Sequence, residues 1–196
     1  MAILKLGGKL FAEHNEQTDT ISLANDVVLP TPAGRIIQVE QFVKTNAAST
    51  SNHQHSTWVH LGMLKSITTT SASNDVLIHF SCSMSSLTGA HNFSTRMTKN
   101  HDGIEEVAIG VSEEAYSSGL SATTSGTRTV DTNTYQMHTM MFMDSPNYQG
   151  TIEYKLYHLM QNNSPGIGYI NRTQSGDGDD RRTGGISTIT LMEIAR

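Results

Sequence analysis

The chain has 196 residues, a formal net charge of −5, 36% hydrophobic residues and only 16% charged ones. That length suits one good-sized domain, or a domain with an arm, and the balance excludes a highly charged disordered chain and a membrane-embedded one. An acidic chain whose 13 Lys and Arg are scattered repels phosphate, so nucleic acid is not expected as a partner.

The remaining polarity is uncharged. Twenty-four Thr and 21 Ser suit half-buried pleated surfaces and turns, which predicts an all-β protein. The opening "MAILKLGGKLFAEHNEQ" holds too short an apolar run for a signal peptide or a membrane span. Synthesis in a cytoplasm without membrane insertion is the expectation. Residues 1–34 carry small apolar patches at Leu4, Leu6, Leu10 and Phe11, then at Val27 and Leu29 before Pro30 and Pro32. Such patches are too small for a core of their own, and they predict an extended N-terminal arm that anchors on a neighbouring protein. A first strand of the main domain is the competing reading.

Residues 35–196 read as short strands separated by turn chemistry. "RIIQVEQFVK" alternates, and "STWVHLGMLKSITTT" carries Trp58 and then a kink at Gly62. In "DVLIHFSCSM", Val76, Ile78, Phe80, Cys82 and Met84 share a face, which makes the lone cysteine a buried core thiol. No intrachain disulfide is possible. "NFSTRMTK" and "GIEEVAIGVS" flank the "NHDG" hairpin signal. Residues 112–133 read as a Ser/Thr/Gly-rich loop with room for a helical turn at "SEEAY". With "TYQMHTMMFMD", "GTIEYKLYHLM", "GIGYINR" and the terminal run, eight or nine strands and no long helix are expected. The predicted fold is a jelly-roll-like antiparallel β-sandwich.

Three of the later strands are apolar on both faces. In the terminal strand Ile189 and Leu191 point one way, and Ile186, Met192 and Ile194 the other. Met140 and Phe142, and likewise Tyr157 and Leu159, stand on the face opposite their strand's other apolar set. One sandwich core does not hide all of this, and a patch of that size is unusual on a monomer. Association of identical subunits would cover it. Met140, Phe142, Tyr157, Leu159, Ile189, Leu191 and Met192 are therefore the candidate interface residues.

"YKL" (Tyr154 to Leu156), "YINR" (Tyr169 to Arg172), "STITLMEI" (Ser187 to Ile194) and "MDSP" (Met143 to Pro146) together resemble the C-terminal pattern of a family of small virion proteins. These are the tail-fibre, knob and head-decoration proteins of marine tailed phages. The resemblance covers roughly the last sixty residues well and the earlier strands loosely. It implies a homotrimeric jelly roll in the virion, made in the host cytoplasm. The implied role is structural or in host adsorption, with capsid, portal or tail proteins as partners. No catalytic residue and no cofactor come with it.

A host-adsorption adhesin that binds a surface glycan is the alternative, with Tyr116, Tyr148 and Tyr169 as candidate aromatics. A cupin-like metal enzyme is a further one. His53 and His55 have metal-ligand spacing, but cupins follow such a pair with a glutamate, and "STWVHLGMLK" after His55 holds no acid. "SGDGDDRR" has the composition of a calcium loop without its ligand spacing. Glu105 and Glu106, and Glu113 and Glu114, are adjacent carboxylates that a strand would point to opposite faces.

Overall fold

The computed structural model describes residues 2–6, 9–15, 20–23, 33–49, 57–86, 92–102, 104–111, 122–128, 136–161, 167–172 and 185–196. His53, His55, Val27, Leu29, the "SEEAY" segment and the "SGDGDDRR" segment lie outside them. So does Tyr116. No helix occurs among the described residues, and none is long and apolar enough to cross a membrane.

The chain divides into two compact units, Met1–Pro32 and Ala33–Arg196. In the first, β1 (Ala2–Leu6), β2 (Lys9–Asn15) and β3 (Thr20–Leu23) form an antiparallel sheet in the order β1-β2-β3. Leu4 pairs with Ala12 and Lys5 with Leu10, across a bulge. In the region expected to be an extended arm, the described residues pair with one another as strands. The second unit also starts two residues earlier than the expected boundary at 34/35. Gly34 N–H donates to the Ala195 carbonyl at 2.7 Å, and Ala195 N–H to that of Arg35 at 2.9 Å.

The second unit is an all-β sandwich of two antiparallel sheets. It contains β4 (Ile36–Lys44), β5 (Ala48–Ser49), β6 (Val59–Thr69), β7 (Asp75–Ser86) and β8 (Asn92–His101). After these come β9 (Ile104–Ile109), β10 (Thr124–Arg128), β11 (Gln136–Asp144), β12 (Gly150–Gln161), β13 (Gly168–Ile170) and β14 (Ser187–Ile194). The long strands lie in the orders β4-β14-β7-β11 and β6-β12-β8-β9. Taken in chain order, these long strands pass between the sheets at every step except the β8–β9 hairpin, in the double Greek-key winding of a jelly roll. The hairpin falls at Asp102, as "NHDG" predicts. Thr124–Arg128, expected to be loop, instead pairs with β8 beyond the end of β9.

Period-two alternation builds the core. Val76, Ile78, Phe80, Cys82 and Met84 are buried on β7, and they face Met63, Ile67, Met97, Ile152, Tyr154 and Leu156 of the other sheet. Gly62, at φ 74°, lies in a bulge where Leu156 opposes Met63 but Tyr157 opposes His60. A side chain there would strain a left-handed backbone, which is why the kink falls on glycine.

Candidate interaction face

Directly paired residues in adjacent strands share a face, so register defines both sides of the first sheet. Its inner rows run Glu40–Leu191–Ile78–Phe142 and Phe42–Ile189–Phe80–Met140. Its outer rows run Val39–Met192–Leu77–Met143, Gln41–Thr190–His79–Met141 and Val43–Thr188–Ser81–Thr139.

Several expected interface residues therefore belong to the subunit's own core. Ile189, Leu191 and Leu159 are fully buried, and Met140 and Phe142 are partly buried against the core. Met192 and Tyr157 remain half-exposed, on the outer faces of different sheets. The outward apolar surface is carried by other residues: Met141 is 63% exposed, Val39 55% and Met143 48%. Met137 and Ile37 are exposed on the same side of β11 and β4.

The one charge of the terminal strand, Glu193, does not reach this outer face. It shares parity with Ile189 and Leu191, so it points inward and is fully buried. Its carboxylate accepts from Gln38 Nε2 at 2.6 Å, Thr70 N at 2.7 Å, Thr70 Oγ1 at 2.8 Å and Asn74 Nδ2 at 2.6 Å. Burial pushes its pKa up, but the bonds from Asn74, Gln38 and Thr70 outweigh that and hold it below the usual carboxylate range. Across the three outer rows not one Asp, Glu, Lys or Arg appears, on a chain of net charge −5. The hydroxyls pair within the sheet, as in Thr139 Oγ1 to Ser81 Oγ at 3.2 Å.

Charged and polar groups instead tie the two sheets together. Asp144 of β11 accepts from Lys99 of β8 at 2.7 Å and from the Tyr154 hydroxyl of β12 at 2.8 Å. Burial, then the Asp144 charge, pushes the Tyr154 phenol up. Lys65 and Glu40 pair at 2.7 Å between β6 and β4. Burial pushes the Cys82 thiol up to about 12, the environment of an inert core cysteine rather than a nucleophile. Among the described residues, no group of three or more His, Cys, Asp or Glu is placed to hold a metal ion.

Of the aromatics named for glycan binding, Tyr169 is buried and Tyr148 half-buried. Sequence reasoning passed over Trp58, just before β6, and Tyr157, on β12, as a pair.

No protein-family model matches the chain, and a search of curated proteins finds no match. Among solved structures it is similar to chains from infectious bursal disease virus. The structure of the Gt strain shares 10% identity at a TM-score of 0.43, over 90% of this chain and 42% of that one. The VP2 subviral particle shares 11% identity at a TM-score of 0.40, over 90% and 42%. This chain spans about two-fifths of the length of the chains it matches. Likeness at these values establishes neither a family nor a function.

Proposed function

We propose that this chain is a non-enzymatic structural protein of a phage virion, a fibre, knob or capsid-decorating module that works as a homotrimer. The observation that supports this is that three successive outer rows of the first sheet carry no charged side chain. Val39, Leu77, Met143 and Met192 form one unbroken apolar row across four strands. A second copy of the same chain is the proposed occupant, because rows without carboxylates let net-acidic subunits meet there without like-charge repulsion. The terminal "STITLMEI" strand, whose phage resemblance suggests a three-fold ring, supplies Met192 to that row.

In this reading the first unit, residues 1–32, anchors the trimer to a capsid, portal or tail protein. Its short strands suit edge pairing with a neighbour. Light scattering should give a particle of about three times 21.4 kDa. A chain that begins at Ala33 should remain trimeric and no longer join the particle. A well-folded wild-type monomer at micromolar concentration would sink the trimer.

A further inference from the structure

The second sheet's outer face is unlike the first. On β12, Ile152, Tyr154, Leu156 and His158 are buried, while Thr151, Glu153, Lys155 and Tyr157 face outward. Two hollows open on that side. One, of about 210 Å³, is lined by Trp58, Arg96, Thr98, Glu106, Ala108 and Tyr157. The other, of about 470 Å³, is lined by residues that include Asn100, Asp102, Tyr148 and Glu153. Lys155 joins them: its Nζ lies 3.5 Å from Glu106 in the first and 3.0 Å from Glu153 in the second. Thr151, which lines the second hollow, and Tyr157, which lines the first, are six residues apart on one strand, about 20 Å at the usual rise. The hollows therefore lie in line along the strand, as a trough in two parts with Lys155 between them.

Each end carries aromatic surface. At one, the Arg96 guanidinium sits 4.1 Å over the Trp58 ring beside Tyr157. At the other, Tyr148 stacks on His101 with ring centroids 4.0 Å apart. Each end also holds a buried ring nitrogen with no hydrogen-bond partner among the described residues, Trp58 Nε1 and His101 Nε2. Along the trough, donors (Arg96, Lys155, Asn100) alternate with acceptors (Glu106, Glu153, Asp102), Lys155 being paired with both glutamates.

We propose that this trough binds a linear, uncharged oligosaccharide several sugar rings long. Sugar hydroxyls both donate and accept, which matches a wall of mixed donors and acceptors. Their C–H faces carry slight positive charge and pack on the negative faces of aromatic rings. A nucleic acid would need net positive charge here, and a lipid would need an apolar lining; the trough offers neither. The site does not rest on the trimer, because the two outer faces point away from the shared core in opposite directions.

Trp58 is the chain's only tryptophan, so its fluorescence reads one end of the trough directly. The full-length protein should be titrated with maltotetraose, cellotetraose, chitotetraose and mannotetraose, and screened on a glycan microarray. At least one uncharged oligosaccharide should give a saturable change in Trp58 emission, and its monosaccharide a much weaker one. Tyr157→Ala and Tyr148→Ala should each weaken binding about three- to tenfold. Glu153→Gln, which leaves the aromatics in place, should also weaken it, and circular dichroism melts verify the fold of every variant. Light scattering on the same samples reads assembly separately, so failure of the trimer and failure of the trough are distinguishable. No saturable response in either assay would overturn the proposal. So would binding unchanged by all three substitutions, or binding confined to charged glycans.

Discussion

Glu193 shows how a single residue organises its surroundings. Its four hydrogen bonds come from Gln38, Thr70 and Asn74, and they replace the water that a buried carboxylate loses. Glu193→Ala should therefore cost about 2–4 kcal/mol, read by chemical denaturation, because it strands several buried donors at once. The position was half legible, since parity alone groups Glu193 with Ile189 and Leu191. Its partners lie 119 to 155 residues away in sequence, and no local pattern names them. His138 makes a second residue-scale case. Burial lowers its pKa to about 4, below the 6.5 of an ordinary histidine, so folding favours the neutral ring. The stability this contributes is complete above pH 6.5 and is lost as pH falls toward 4. The melting temperature should fall across that window, and His138→Gln should flatten the fall.

At the scale of elements, β13 and β14 behave as one strand in two pieces. Both pair with the same edge of β7, β13 with Met84 to Ser86 and β14 with Asp75 to Ser81. Asn171, at φ 60°, and Ser187 splice them. Asn171 N–H donates to the Ser83 carbonyl at 3.0 Å, and its side-chain amide to the Lys44 carbonyl at 2.7 Å. Ser187 Oγ in turn donates to Asn171 Oδ1 at 2.6 Å. Asn171→Ala should cost about 1–3 kcal/mol in denaturant melts, because it leaves buried partners unpaired. A cost within error of zero would mean that the ladder holds without the splice. The sequence marks "GIGYINR" and the terminal run as separate strands, which is correct locally, yet nothing local says that they share one neighbour. The β11 parity was decided in the same non-local way. Its two faces are almost equally apolar. The ring of Phe142 turns inward against Gly110, where an added Cβ would lie 2.6 Å from it, and Met137, Met141 and Met143 are left outside.

For the whole molecule, the neighbouring residues Leu191 and Met192 allow folding and the proposed assembly to be tested separately. Leu191 is fully buried between the sheets, and Met192 lies in the outer apolar row. Leu191→Asp should abolish folding by burying an unpaired charge. Met192→Asp or Met143→Asp should leave a folded sandwich that no longer assembles, seen as an unchanged circular dichroism spectrum with a monomeric mass. Equal loss of fold in both classes would remove the distinction between the two faces. By itself the sequence determined the all-β class, the core face of β7, the hairpin at Asp102, the kink at Gly62 and the surplus of apolar surface near the C-terminus. Each of these rests on period-two alternation or on turn chemistry, which act between residues close along the chain. Only the tertiary structure decided which side of β11 is the core, that Glu193 points inward, and that the hollows beside Tyr157 and Glu153 line up on one face. Those outcomes depend on register between strands distant in sequence, and a shift of one residue in any of them would exchange the two faces.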